Sequence, residues 1–168
     1  IQFTTDTLPS DITGFSMLNR QTNEFEYRSG ASMCNLLLAD EINRTSPKTQ
    51  SALLEAMEEG TVSVDGIVHP LPDPFICIAT QNPIGSAGTQ PLPESQLDRF
   101  MVKLSIGFPS SEDQLKIIKS RRYMNPLESI QSVVTKQNIK EIQNYLTSIK
   151  ISDEVLLYTI HLCEATRG

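Results

Sequence analysis

Hydrophobic positions divide the chain into a first part with strand-like patterns and a second part with helical ones. Two continuous apolar runs, at 34–39 and 75–79, are typical of strands buried on both faces, as in parallel sheets. Between them, apolar positions at helical spacing predict a helix over 47–59, with Ser46 as its N-cap and Gly60 at its end. The first part is therefore predicted to be an α/β core with parallel strands.

Shorter patterns predict two hairpins and one further strand. A polar tip separates the strand-like segments 15–18 and 24–28. An Asp-Gly pair, which is preferred in two-residue turns, separates 61–64 from 67–69. Apolar and polar residues alternate over 102–106, which favours a half-exposed strand.

The remaining segments of the first part are short, and the part beyond Pro109 has a different pattern. Residues 1–4 resemble a strand, 8–14 a loop or turn, and 94–99 a short helix. Beyond Pro109 the periodicity becomes helical, with predicted helices at about 111–123, 138–149 and 153–166. We therefore expect two domains, an α/β domain over 1–109 and a small all-helical domain over 110–168.

Composition and charge disfavour several classes of protein, among them membrane-spanning, nucleic-acid-binding and disulfide-rich proteins. The 168 residues are 39% hydrophobic, carry a net charge of −6, and lack any apolar run long enough to span a membrane. Residues 1–100 hold 5 basic and 13 acidic side chains, and residues 101–168 hold 9 and 7. Neither part has the basic stripe of a nucleic-acid binder. Three cysteines do not make a disulfide framework, so we expect buried, reduced thiols in a cytoplasmic protein.

The strongest candidate for chemistry is a pair of carboxylates, Asp40 and Glu41, directly after the first apolar run. Ligands of open α/β sheets bind at the carboxyl edge of the strands. A nucleotide hydrolase needs one carboxylate for Mg²⁺ and another that orients the attacking water, roles that suit Asp40 and Glu41 respectively. The alternative is a charged pair that merely ends a strand.

Two further residues are candidates for the same reaction. Asn82 follows the second apolar run, where its amide is suited to donate to a γ-phosphate or to the attacking water. A simple Asn-Pro turn is the alternative for this residue. Arg99, at the end of the short helix, has the planar, permanently charged group of an arginine finger, although most exposed arginines are only solvated.

Other catalytic and metal-binding motifs are missing from this sequence. It contains no G-x-x-x-x-G-K-[ST] phosphate loop and no G-x-S-x-G nucleophile motif. His69 and His161 lack partners at metal-ligand spacing. The acidic pair, Asn82 and Arg99 are thus left as the candidate site.

Taken in order, several segments closely resemble MoxR-type AAA+ ATPases. They are LADEINR at 38–44, PKTQSALLEAM at 47–57, ATQNP at 79–83, PLPE at 91–94 and QLDRF at 96–100. The resemblance covers nearly the whole chain, and it is strongest over 34–109. It implies a P-loop NTPase-like αβα core with a parallel sheet, followed by a small helical lid.

The resemblance also implies roles for the candidate residues. Asp40 and Glu41 would be the Walker B pair that binds Mg²⁺ and activates water, and Asn82 the sensor-1 residue. Arg99 would act in trans on the ATP of the adjacent protomer of a ring, typically a hexamer. Residues 12–30 would form the helix-2 insertion and 61–70 the presensor-1 hairpin. The family's chaperone-like members mature or activate partner complexes, often with proteins that bear a von Willebrand factor A domain.

The family pattern implies segments that this sequence does not contain. The Walker A loop is expected upstream of Ile1 and the sensor-2 arginine beyond Gly168, so the 168-residue piece alone is expected to be inactive. The alternatives are a degenerate, non-catalytic scaffold, a DNA-translocating motor similar to MCM helicases, and a magnesium-chelatase-like motor subunit. The acidic first part and a hairpin at 61–69 without Lys or Arg disfavour nucleic acid.

Overall fold

The computed structural model describes residues 1–82, 91–121 and 125–167. The described chain divides into two units, Ile1–Phe108 and Pro109–Gly168. The glycine-containing loop that follows the second apolar run lies mostly outside the described residues.

A pair of parallel strands forms the centre of the first unit. β3 (Leu36–Ala39) and β6 (Ile76–Ala79) pair in parallel over their whole length. The beginning of the chain joins them through one parallel bridge between Gln2 and Asp40. The strand expected at 1–4 is therefore reduced to a single bridge.

One face of this strand pair is exposed. Leu37 is buried, whereas its neighbours Leu36 and Leu38 are 61% and 54% exposed. In β6, Ile76 and Ile78 are likewise 40% and 51% exposed. The prediction that both strands are buried on both faces is wrong for the described first unit, because none of its described elements covers the second face.

Helix α2 (Pro47–Glu59) has the ends that the sequence predicts. Ser46 Oγ accepts a hydrogen bond of 3.2 Å from the backbone N–H of Thr49. At the other end Gly60 has a φ of +64°, in the left-handed region, and its N–H donates to the carbonyl of Ala56 at 3.1 Å. The buried face of α2 consists of Thr49, Gln50, Leu53, Leu54 and Ala56.

The main core lies between α2, β3 and the beginning of the chain. Its buried members are Phe3, Ile12, Leu37, Ala39, Ile42, Leu53, Leu54 and Leu92. Polar contacts join the same parts, because the hydroxyls of Thr45 and Thr49 both donate to the carbonyl of Thr7, at 3.2 and 2.9 Å. The N-terminal end of α2 is thereby fixed to the beginning of the chain.

Two antiparallel hairpins form as predicted. β1 (Phe15–Asn19) pairs with β2 (Glu24–Arg28), and β4 (Thr61–Val64) pairs with β5 (Ile67–Pro70). The β4–β5 turn, Asp65–Gly66, has a positive φ at both residues, as a type I′ turn requires.

An aromatic contact joins the two hairpins. The rings of Tyr27 in β2 and His69 in β5 stack with centroids 3.8 Å apart and an angle of 11° between their planes. Tyr27 also donates its hydroxyl to the carbonyl of Thr13 at 2.6 Å. Gly14 allows this packing, since a Cβ there would lie 2.3 Å from the carbonyl oxygen of Arg28.

Two short helices flank the core. Residues 8–14, expected to be a loop, contain helix α1 (Pro9–Thr13). Pro9 provides the first helical residue, and the Asp11 carboxylate accepts from the backbone N–H of Leu8 at 2.8 Å, which stabilises the start of the helix although the N-cap residue Leu8 makes no side-chain cap hydrogen bond. Helix α3 (Glu94–Leu97) forms within the predicted segment.

The strand expected at 102–106 is not formed. The segment is irregular and its apolar side chains are exposed, with Ile106 99% and the nearby Phe108 100% accessible. Alternation alone does not make a strand, which needs a neighbour for its backbone hydrogen bonds, and no described strand lies beside this segment.

The second unit consists of helices α4 (Ser111–Arg121), α5 (Lys136–Ser148) and α6 (Asp153–Ala165), with a 3₁₀ turn at Pro126–Ser129. α5 begins two residues before the predicted start, because Thr135 acts as its N-cap. None of the described helices is long and apolar enough to cross a membrane.

The cysteines differ from expectation in their burial. Cys163 is exposed, while Cys34 and Cys77 are half-buried. Burial, with a smaller contribution from nearby Cys34, raises the pKa of the Cys77 thiol to about 11. Within the described residues all three are free thiols, as predicted, but Cys163 is not buried.

We predict that Leu53→Ala destabilises the first unit by about 2–5 kcal/mol, because it leaves a cavity in the main core where Leu53 is 1% exposed. Urea denaturation followed by circular dichroism measures this loss. Glu55→Ala, at an exposed position of the same helix, is the matched control and should change stability by no more than about 0.5 kcal/mol. Equal effects of the two substitutions would contradict the assigned core.

Candidate functional site

The candidate site lies where β3 and β6 end. Ala39 and Ala79 are partners in the parallel register, so Asp40 and Thr80 follow at the same edge. Thr80 Oγ1 donates to Asp40 Oδ1 at 2.5 Å, and the Thr80 N–H donates to the Ala39 carbonyl at 2.9 Å. The strand pairing thus brings a carboxylate and a hydroxyl together at the carboxyl edge.

The backbone turns sharply at Glu41. This residue has φ 57° and ψ 47°, in the left-handed region that non-glycine residues seldom adopt. Thr80 holds it there, because its Oγ1 accepts from the Glu41 N–H at 2.9 Å and its carbonyl accepts from the Ile42 N–H at 3.0 Å. Strained backbone of this kind is common at functional sites.

The carboxylate of Glu41 lies within a polar network. Its Oε2 accepts from Arg44 Nη1 at 2.8 Å and from Gln2 Nε2 at 3.2 Å, and its side chain also hydrogen-bonds that of Asn82. The hydrogen bond from Arg44, followed by that from Gln2, lowers the pKa of Glu41 below its ordinary value. The side chain is therefore a carboxylate throughout the neutral range.

A buried asparagine fixes the backbone of Asn82. Asn43 Nδ2 donates to the Asn82 carbonyl at 2.9 Å, and Asn43 Oδ1 accepts from the Asn82 N–H at 3.2 Å. Asn43 is 5% exposed, so this side chain supplies the hydrogen bonds that a neighbouring strand would otherwise make. Asp40, Glu41 and Asn82 are consequently brought together.

Arg99 is not part of this cluster. Its Nη1 forms an ion pair with Glu58 Oε2, near the C-terminal end of α2. The cluster lies toward the opposite end of that helix, where Gln50 Nε2 donates to the Ile42 carbonyl at 3.1 Å. Glu58 is eleven residues beyond Pro47, which corresponds to about 16 Å along the helix axis.

The oxygen donors of the cluster fit a magnesium ion bound together with phosphates. Mg²⁺ typically takes one or two carboxylates and completes its shell with waters and phosphate oxygens. Asp40 and the neighbouring Thr80 hydroxyl offer such donors, while Glu41 is engaged by Arg44 and Gln2. No group of three or more His, Cys, Asp or Glu residues that could hold a metal is present in the described chain. The donors therefore suit a metal held jointly with a substrate better than a closed protein cage.

Residues 1–102 match the ATPase family associated with various cellular activities (AAA). The chain belongs to this family. This AAA ATPase chain is 50% identical over 167 residues to the "Uncharacterized protein YeaC" of Bacillus subtilis (strain 168), covering 99% of the chain and 52% of that protein. It is 40% identical over 167 residues to "Chaperone MoxR1" of Mycobacterium tuberculosis (strain ATCC 25618 / H37Rv), covering 99% of the chain and 44% of that protein.

A solved structure is similar over the same extent. The crystal structure of a candidate ATPase from Cytophaga hutchinsonii has a TM-score of 0.85 and 42% identity, covering 99% of this AAA ATPase chain and 50% of its own. These matches confirm the expected P-loop NTPase-like α/β fold and the resemblance to MoxR-type AAA+ ATPases. The chain spans about half the length of the curated relatives it matches.

Sequence reasoning missed four residues that organise the candidate site: Gln2, Asn43, Arg44 and Thr80. Thr80 was identifiable in principle, because it directly follows β6 as Asp40 follows β3. Gln2 and Asn43 act through contacts about forty residues apart in sequence, which no local pattern indicates.

We predict that Arg44→Ala raises the pKa of Glu41 toward its ordinary value, because it removes the largest cause of the lowering. Carbon-13 NMR titration of the Glu41 carboxyl group measures the change. In the native protein this carboxylate keeps its charge, and its contribution to stability, above the ordinary pKa and loses both as the pH falls through the lowered value. Arg20→Ala, at the exposed β1–β2 tip, is the control and should leave the titration unchanged. An identical titration in Arg44→Ala would contradict the network.

Proposed function

We propose that the complete protein, as encoded by its gene, hydrolyses ATP to ADP and phosphate as part of a ring of identical subunits. The observation that carries this proposal is the cluster of Asp40, Glu41 and Asn82 at one edge of parallel strands in an AAA ATPase chain. The ring, with six members by analogy, rests on family membership.

The cluster supplies the parts that phosphoryl transfer to water requires. Asp40, with Thr80 beside it, would hold Mg²⁺, which when bound neutralises charge on the phosphate oxygens. Glu41 orients the attacking water and accepts its hydrogen bond, since its lowered pKa keeps it ionised. Asn82 donates its amide to the γ-phosphate from a backbone fixed by Asn43. Catalysis then consists mainly of positioning and charge stabilisation.

Arg99 belongs to a different face of the first unit and is proposed to act on the neighbouring subunit's ATP. Its ion pair with Glu58 lies about three helical turns from the end of α2 that adjoins the cluster. An arginine in such a place suits a composite site, in which one subunit provides the cluster and the next provides the guanidinium. A single subunit would then be inactive.

The cellular role follows by analogy with the family. The "Chaperone MoxR1" relative supports a chaperone-like ATPase that matures or activates partner protein complexes, and proteins with von Willebrand factor A domains are our candidate partners. We propose a cytoplasmic location, with residues 1–109 as part of the ATPase core and 110–168 as part of its helical lid. The β4–β5 hairpin carries no Lys or Arg, which favours protein over nucleic-acid partners.

We predict that Glu41→Gln in the complete protein lowers ATP turnover about 100-fold while ATP binding is retained, because the neutral amide lacks the negative charge that orients the attacking water and cannot take up its proton. Steady-state phosphate release and fluorescent-nucleotide titration measure the two quantities. Glu112→Gln, on exposed helix α4, is the matched control and should preserve turnover. Unchanged turnover in Glu41→Gln would remove this residue from the mechanism and favour a non-catalytic scaffold.

We predict that Arg99→Ala abolishes most turnover of the ring, and that mixing it with Glu41→Gln restores part of it. In mixed rings, an intact Glu41 site can meet an intact Arg99 from its neighbour, which neither pure ring provides. Mixing Arg99→Ala with the Arg99→Ala/Glu41→Gln double variant is the control, because no interface then combines both groups. A mixture that is no more active than the average of its components would argue against action in trans.

A further inference from the structure

The backbone around Arg99 is anchored to the core of the first unit. Leu97 and Phe100, on either side of Arg99, both pack against the main core cluster. The turn after α3 is closed by hydrogen bonds from the Arg99 N–H to the Gln96 carbonyl at 3.4 Å and from the Phe100 N–H to the Leu97 carbonyl at 3.0 Å. The origin of the Arg99 side chain is therefore fixed, and only its long, flexible part needs to be oriented.

The charged end of that side chain is held by one residue of α2. Arg99 Nη1 forms an ion pair with Glu58 Oε2, and both side chains keep contact with solvent, at 39% and 54% exposure. The pair borders an open cavity of about 280 Å³. The cavity is lined by Ser51, Leu54, Glu55, Glu58, Glu59, Gln96 and Arg99.

Of the three glutamates that line the cavity, Glu55, Glu58 and Glu59, Glu58 is the one that forms an ion pair with Arg99 in the part of the chain that the structure describes. Glu55 lies nearly one helical turn before Glu58 on the same side of α2, so it shares the surroundings but not the pairing. This makes Glu55 an internal control for negative charge at this surface.

We propose that Glu58 is a positioning residue for Arg99, which rests on the proposed role of Arg99 in the neighbouring subunit's ATP hydrolysis. Exposed ion pairs contribute little to stability, so a role in holding the guanidinium is a better account of this pair than a role in folding. The guanidinium has five N–H donors in a rigid fork, and a carboxylate that engages Nη1 leaves its other edge for phosphate oxygens. A group held in place before the phosphate arrives needs less reorganisation during the reaction.

A positioning role for Glu58 requires that ATP turnover falls when this carboxylate is removed. Without Glu58 the guanidinium samples more orientations, so stabilisation of the transition state should fall while ATP binding by the opposite subunit is unaffected. The contrary idea, that Glu58 withholds Arg99 from its neighbour, requires turnover to rise when the carboxylate is removed. The two hypotheses therefore predict opposite changes in ATP turnover.

The test is a double-mutant cycle on ATP turnover in the complete, assembled protein. Glu58→Gln should lower kcat about tenfold with KM for ATP unchanged, and Glu55→Gln should leave both unchanged. In the Arg99→Ala background, Glu58→Gln should have no further effect, because its action passes through Arg99. A merely structural role would instead lower turnover by the same factor in both backgrounds.

The other possible outcomes contradict either the positioning role of Glu58 or the proposed role of Arg99. Normal or increased kcat in Glu58→Gln, with Arg99→Ala strongly impaired, overturns the positioning role while the proposed function stands. Equal losses from Glu58→Gln and Glu55→Gln show a general charge effect and also overturn it. If Arg99→Ala itself turns over ATP normally, the proposed role of Arg99 fails and the role of Glu58 fails with it.

Discussion

A single hydroxyl group organises the candidate site. Thr80 Oγ1 donates to the Asp40 carboxylate and accepts from the backbone N–H of Glu41, at 2.5 and 2.9 Å. Both contacts depend on the parallel register of β3 and β6, since a shift by one residue would turn the hydroxyl to the opposite side of the strand. The left-handed backbone at Glu41 is tolerated because Thr80, which directly follows the adjacent strand, accepts hydrogen bonds from the backbone N–H groups of Glu41 and Ile42.

The network around Glu41 combines two requirements that oppose each other. The hydrogen bonds from Arg44 and Gln2 keep the carboxylate charged and fixed, but a carboxylate with a lowered pKa is a weaker base. Such a group is better suited to orienting a water than to removing its proton early in the reaction. This agrees with phosphoryl transfer, in which positioning and charge stabilisation contribute more than proton abstraction.

Local patterns predicted much of the fold, and they failed where distant contacts decide. Ser46, Gly60 and the Asp65–Gly66 turn were predictable because caps and tight turns depend on a few adjacent residues. The strand expected at 102–106 and the second buried face of β3 were wrong, because alternation and apolar runs do not reveal whether a partner is present. For the candidate site, Asp40, Glu41 and Asn82 were proposed from their position after apolar runs, and the structure places them close together. Their supporting residues, such as Asn43, were not, because their contacts join segments far apart in sequence.

The stacked rings of Tyr27 and His69 have a mechanical consequence. They join β2 to β5 across the two hairpins, and a contact of this kind contributes only about 0.5–1.5 kcal/mol. The contact therefore links the positions of the two hairpins, and its loss would cost only this small amount of free energy. Either hairpin can accordingly move away from the other without a large loss of stability from this contact.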